Sequence, residues 1–511
     1  MTGPPVVDDH PFSQIPQEVD TLIIGAGPTG LGAAIRAEQH GHKDWVLVDS
    51  SDGPGGLACT DSTPEGFIFD MGGHVIFSHY AYFDQVIDHA VGACNWETHQ
   101  RISYVWIKDR WVPYPFQNNL FCLPDEDKVR CINGVIDATL QGQLTKSKPD
   151  NFEEWILKVM GRGIADLFML PYNFKVWACE PRDMQCSWLG ERVATVDLKR
   201  VTESVILNKP DAGWGPNAVF RFPRTGGTGH VWTSVSALLP RDKLVFSRSL
   251  VDLDFEAQKA SFSDGSVCHY NRMISTAPLD IMLDWVKRPD LAAHLKYSST
   301  HVIGIGIRGT SPHEKKCWMY FPESNCPFYR CTVFSLYAES NCPDHTVLLP
   351  TLRCADAASA CMSSEPKTGP YWSLMFEVSE SAAKPVNMTT IVEETIQGAI
   401  NTRLIDAADE IVSIYDKRLE RGYPTPSLER DKGVTEGLKM LKQKNVWSRG
   451  RFGAWKYEVG NQDHSLMQGV EAVDNILFGA CEMTLEYPDV VNGRGNEDIL
   501  FARPAGMNKR A

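Results

Sequence analysis

The chain has 511 residues, 43% of them apolar and 22% charged, with a net charge of −14. That length is enough for several domains with cores of their own, and the composition is that of a folded globular enzyme. The acidic balance argues against a nonspecific nucleic-acid or anionic-membrane partner, and no apolar run approaches the ~18 residues that cross a bilayer.

Fourteen cysteines without a C-x-x-C pair indicate neither a disulfide framework nor a metal site, so reduced thiols and no metal are expected. Residues 1–18 read as a disordered lead without the basic and apolar regions of a signal peptide, which fits a cytoplasmic protein.

Residues 19–24, VDTLII, read as a strand. Gly25-Ala26-Gly27-Pro28-Thr29-Gly30 follows, then a helical stretch to His40, a second apolar strand over 45–48, and Asp49. Strand, G-x-G-x-x-G, helix, strand and acidic residue, in that order, are what a dinucleotide site requires. Gly25 permits the tight turn, Gly27 lets the backbone approach a pyrophosphate, and Gly30 lets the helix pack close to the sheet. The helix N-terminus supplies amide donors and partial positive charge, and Asp49 can accept from a ribose hydroxyl. A second glycine patch, Gly55-Gly56-Leu57-Ala58, and a third, Gly72-Gly73-His74, favour FAD over NAD, because simple nicotinamide dehydrogenases lack them.

Further along, residues 102–114 read as a hairpin and about 120–205 as helical. Glycines near 213–229 mark a return to the first domain, and 244–270 alternates like strands. Gly304-Ile305-Gly306-Ile307-Arg308-Gly309 repeats the glycine pattern but sits in a strand-like run with no helix after it, so it reads as sheet. Residues 389–404 read as a helix and 475–478 as a strand.

The expected class is α/β: a FAD-binding Rossmann-like three-layer domain, a helical insertion domain and a mostly antiparallel β-sheet domain. The expected division is 19–95 with 213–297 and 440–511 for FAD, 96–212 for a mainly helical substrate domain, and 298–439 for the sheet.

Arg192, Arg330 and Arg451 lie near aromatic side chains, among them Tyr320, Tyr329, Trp455 and Tyr457. A guanidinium fork suits two phosphate oxygens, and rings suit a planar base. The segment from Tyr114 to Asn119 offers rings and amides for a heterocycle. No nucleophile elbow, zincin motif or Walker A occurs, so the cofactor is expected to carry the chemistry. From these residues alone, the chain reads as a FAD protein with an anionic ligand.

The ordered set GAGPTGLGAA, DMGGHVIFSHY, WVPYPFQNN, GIADLFMLPYNFKVWA, GYPTPSLER and WSRGRFGAWKYEVGNQDHS resembles the eukaryotic UDP-galactopyranose mutases, most closely the fungal type, over about residues 20–495. The resemblance implies an isomerase that interconverts UDP-galactopyranose and UDP-galactofuranose, with N5 of reduced FAD as nucleophile at the anomeric carbon and no net redox change. It implies NADPH as reductant, a homo-oligomer (a tetramer in the fungal type), and a product that feeds cell-wall glycans.

It also implies site residues. Gly25, Gly27, Thr29, Gly30, Asp49, Gly56, Leu57, Gly72, Gly73, His74, Asn461 and Ser465 would hold FAD, with His74 against the flavin. Tyr114, Phe116 and Gln117 would surround uracil, with Asn173 and Trp177 near the ribose. Arg192 and Arg330 would clamp the pyrophosphate, helped by Tyr320, Tyr423 and Tyr457, with Asn217 and Arg451 toward the sugar. His74, Arg192 and Arg330 are the catalytic candidates. The alternative is an amine-oxidase-like FAD oxidoreductase, which shares the nucleotide fold and the strand over 273–278.

Overall fold

The computed structural model describes residues 14–144, 147–211, 218–313, 315–356 and 365–503. Strand β1, Glu18–Ile24, pairs in parallel with β2, Trp45–Val48, on one side and with Val267–Ser275 on the other. Strands Leu250–Asp254 and Lys259–Phe262 extend this sheet antiparallel, while Leu244–Val245 and Val446–Ser448 join it in parallel. Alternate side chains face opposite ways, as the pleat demands. Ile23, Trp45 and Leu47 enter the core under helices Pro28–Gln39 and Gln462–Phe478, whereas Leu22, Val46 and Val48 enter a second core with Leu279, Leu283, Val434 and Leu441. Helices thus cover both faces, the three-layer arrangement the sequence implied.

A second, eight-stranded sheet runs in the order Arg353–Cys354, Glu410–Thr425, Lys296–Arg308, Tyr371–Glu380, Arg330–Thr332, Trp318–Tyr320, Ser103–Ile107, Arg110–Pro113. Its pairings are antiparallel except between Trp318–Tyr320 and Ser103–Ile107. The second G-x-G-x-x-G is indeed strand. A Cβ at Gly304 would lie 2.6 Å from the Phe69 ring, and one at Gly306 2.6 Å from the Phe67 ring, so these glycines make room for aromatic packing.

The helical segment contains Asp125–Leu144, Phe152–Ile164, Leu170–Trp177 and Leu198–Leu207. Asn151 caps the second by accepting from the Glu154 amide at 2.9 Å, and Asp197 caps the last through the Arg200 amide at 3.0 Å.

Four expectations need correction. The hairpin Ser103–Pro113, placed with the helices by sequence, is hydrogen-bonded into the large sheet, while its Val105, Ile107 and Val112 face the helical core. The helix Arg430–Gln443, most of it assigned to the sheet domain, packs Val434 and Leu441 on the nucleotide-binding sheet. Residues 475–478 close the helix Gln462–Phe478 rather than forming a strand. The apolar run continues a helical face, and Gly479 at φ 70° then stops it. Cys354 is disulfide-bonded, whereas twelve other cysteines among the described residues are free thiols.

Candidate active site

The glycine loop follows from steric limits. Gly25 has φ +100°, and a Cβ there would sit 1.9 Å from Thr276 Oγ1. A Cβ on Gly30 would lie 1.8 Å from the Gly25 carbonyl oxygen. Gly27 differs, because its nearest neighbour would be 3.9 Å away, so its missing side chain leaves space beside exposed backbone. The Asp49 carboxylate accepts from the Ala26 amide and, at 2.7 Å, from the Ser51 amide, which ties the loop to the end of β2. Helices Pro28–Gln39 and Gln462–Phe478 touch through glycines, since a Cβ at Gly469 would be 1.9 Å from the Thr29 carbonyl oxygen. Two helix N-termini are thereby brought to one place.

They open into a cavity of ≈ 770 Å³ where the two sheets and the helical segment meet. Gly27, Thr29, Asp49, Gly56 and Leu57 line it from the first sheet, and Asn461 and Ser465 from the second helix. Gly72, Gly73 and His74 line it from the segment after Asp70. Gly25 and Gly30 stand behind this wall and shape it. The expected ligand-facing residues Tyr114, Arg192, Tyr320, Arg330, Tyr423, Arg451 and Tyr457 line the same cavity.

Phe116, Gln117, Asn173 and Trp177 do not line it. Phe116 is fully buried against Phe168 at 4.6 Å, and Gln117 donates to the Ala194 carbonyl at 2.7 Å. Asn173 donates to the Met169 carbonyl at 2.8 Å. Trp177 backs the wall, with its ring 4.7 Å from that of Tyr457. Asn217 lies outside the described residues.

The charges are arranged unequally. Arg330 donates from Nε and Nη2 to Glu377 at 2.7 Å each. Glu377 also accepts from the Tyr329 hydroxyl at 2.7 Å and the Gly73 amide at 3.0 Å. Burial works against both charges, but the pair outweighs it, so Glu377 titrates below the usual carboxylate range and Arg330 above its usual value.

Arg192 and Arg451 are different. Arg192 donates to Asn461 Oδ1 at 3.3 Å and to the Glu458 carbonyl at 3.0 Å, and Arg451 to the Gly422 and Gly460 carbonyls at 3.2 Å each. Among the described residues neither forms an ion pair. Both guanidiniums lie over the Tyr457 ring, at 4.7 and 5.4 Å from its centre. Burial, opposed by Tyr423 and Tyr457 and aided by Arg192, lowers the Arg451 pKa. Two cations without carboxylates make the cavity a site for an anion.

His74 is half-buried in the cavity wall, and its desolvation there brings its pKa down to about 4, so it is neutral at pH 7. Its Nδ1 has no hydrogen-bond partner among the described residues. An orphaned ring nitrogen, backbone bared at Gly27 and two helix N-termini fit a bound FAD, which the cavity's donors can hold.

The sequence reading missed Glu377 and Arg101. Glu377 had a signal: it is a charged residue within the apolar strand Tyr371–Glu380, where a buried carboxylate needs a partner. Arg101 lines the cavity with its guanidinium 5.4 Å from the Tyr114 ring centre, and nothing in its neighbours marked it.

Residues 23–90 match the NAD(P)-binding Rossmann-like domain family. A ferredoxin–NADP reductase of Ralstonia nicotianae is 44% identical over 71 residues, which is 14% of this chain and 19% of that protein, so the likeness is confined to the nucleotide-binding start. A solved structure of wild-type putrescine oxidase bound to putrescine superposes with a TM-score of 0.55 at 13% identity, covering 90% of this chain and 99% of that one, a likeness of fold alone. The crystal structure of a reduced UDP-galactopyranose mutase superposes with a TM-score of 0.87 at 45% identity, over 94% of this chain and 98% of that one. Likeness of that extent, over nearly the whole of both chains, establishes that the chain belongs to the UDP-galactopyranose mutase family.

Proposed function

We propose that this protein interconverts UDP-galactopyranose and UDP-galactofuranose with the help of a reduced FAD in this cavity. The carrying observation is that Arg192 and Arg451, cations without carboxylate partners, share one cavity with the glycine loop. A diphosphate supplies the missing negative charge. Bound and reduced, FAD supplies an electron-rich nitrogen, N5, as nucleophile toward the anomeric carbon, so the isomerisation needs no net electron transfer.

This chain's residues do the rest. Arg192 and Arg330 hold the diphosphate through charge-assisted hydrogen bonds, as the family resemblance implied, and Arg451, toward the sugar, adds a second uncompensated charge that helps keep the departing UDP in place for its return. The Tyr457 ring packs against the Arg192 and Arg451 guanidiniums. Glu377 occupies two of the Arg330 donor atoms, which directs Nη1 to the ligand and ties Gly73 to the same network. Neutral His74 adds no charge beside the cofactor and offers Nδ1 for one hydrogen bond.

The same family reading gives NADPH as reductant, a homo-oligomer, a cytoplasmic location and a product that supplies cell-wall glycans. An oxidase acting on an apolar amine has no use for two unpaired arginines. The test is conversion of UDP-galactofuranose by dithionite-reduced and by oxidised holoenzyme, followed by chromatography. Activity only after reduction is expected, and equal rates in both states would reject the reading. Anaerobic bleaching of the flavin by NADPH tests the reductant.

A further inference from the structure

Behind the cavity, His79, Asp463 and His464 each offer a ligand atom, and these atoms lie within 4.8 Å of one another. Asp463 and His464 sit in the first turn of helix Gln462–Phe478, and His79 ends the segment that carries Gly73 and His74. The backbone amide of His79 donates to Asp463 Oδ2 at 3.1 Å, and its Nδ1 lies 2.9 Å from that oxygen. The side chains of Asp463 and His464 are fully buried.

Hydrogen-bond geometry places one proton of His464. Asn492 donates from Nδ2 to the Glu458 carbonyl at 3.1 Å, so its Oδ1 is the atom turned to His464 Nε2, at 2.8 Å. A carbonyl oxygen accepts, so Nε2 must carry the proton. In neutral imidazole Nδ1 is then a bare lone pair, and it faces Asp463 Oδ1 at 3.0 Å. Neither atom has a hydrogen-bond partner among the described residues. Two acceptors buried face to face repel unless something positive lies between them.

We propose that His464 Nδ1, Asp463 and His79 Nδ1 bind a divalent cation of the zinc class. Two imidazoles and a carboxylate are zinc donors; here His79 Nδ1 lies 2.9 Å from Asp463 Oδ2 and His464 Nδ1 3.0 Å from Asp463 Oδ1, so the two rings reach the two oxygens of one carboxylate. Three protein ligands leave one position for water. The His464–Asn492 hydrogen bond is the outer-sphere contact that orients a ligating histidine. The ion fastens the segment carrying Gly73 and His74 to the helix that carries Asn461 and Ser465, a structural role outside the isomerisation.

The test is elemental analysis of purified holoenzyme, followed by dialysis against EDTA and titration with Zn²⁺ while the melting temperature is recorded. About one zinc per chain is expected, with a lower melting temperature after chelation that added Zn²⁺ restores. Asp463→Asn should lose the ion. Asn492→Ala, which leaves all three ligands, should bind Zn²⁺ roughly ten- to a hundredfold more weakly. Holoenzyme without divalent metal that also takes up none after EDTA treatment would overturn the proposal and leave a proton between the two side chains. Undiminished zinc in Asp463→Asn would overturn it equally.

Discussion

Arg330 and Glu377 meet through two parallel hydrogen bonds of 2.7 Å, and the same carboxylate takes the Gly73 amide at 3.0 Å. A Cβ on Gly73 would lie 3.0 Å from Arg330 Nη2, so the glycine patch and the arginine are fitted to each other. Glu377 is 2% exposed, and Arg330, which lines the cavity, is 21% exposed. Removing the carboxylate leaves the half-buried Arg330 charge without its partner. Glu377→Gln is therefore expected to destabilise the protein by about 3–5 kcal/mol, seen as a lower melting temperature. An unchanged melting temperature would mean that the pair contributes little to folding.

Arg451 and Arg192 are expected to matter to the ligand more than to the fold, because they leave no carboxylate behind when removed. Arg451→Ala should lower kcat/KM by roughly ten- to a hundredfold, the worth of one charged hydrogen bond, with FAD still bound. UDP should raise the melting temperature of the wild type and raise it less in Arg451→Ala or Arg192→Ala. Equal shifts in all three proteins would place the diphosphate elsewhere.

Gly27 and Gly30 separate cofactor binding from folding. Gly27 has φ −74°, which alanine adopts freely, and its Cβ would meet nothing closer than 3.9 Å. Gly27→Ala should fold but retain less flavin, read from the ratio of flavin to protein absorbance. Gly30→Ala would drive a Cβ into the Gly25 carbonyl at 1.8 Å and should lower the yield of folded protein. Full flavin content in Gly27→Ala would argue against close approach of the cofactor there.

Glu471 carries a pH dependence. Burial pushes its carboxyl up to about 8, with the Thr484 amide and hydroxyl only partly compensating. Below about pH 4 folded and unfolded chains both hold the proton, so the raised pKa costs nothing. As pH rises toward about 8 the unfolded chain ionises while the folded one stays protonated, and stability is lost across that window at roughly 1 kcal/mol per pH unit. Glu471→Gln should flatten the fall of the melting temperature between these limits. A parallel pH profile for wild type and variant would refute the assignment.

The sequence by itself determined what depends on neighbours along the chain. Gly25, Gly27 and Gly30 could be read because backbone dihedrals and steric room are local, and the run of strand, loop and helix around them separates this loop from the Gly304–Gly309 pattern within a strand. The arginines and tyrosines could be named one by one, with their motif order pointing to the family.

Tertiary structure decided which of them meet. Arg192 reaches Asn461 across 269 residues and His79 reaches Asp463 across 384, separations at which no spacing rule holds. It also decided which charges are balanced, since Glu377 takes up Arg330 but nothing comparable takes up Arg451. Charge balance belongs to the assembled cavity, because a side chain's electrostatic surroundings come from whatever the fold packs against it rather than from what precedes it in the chain.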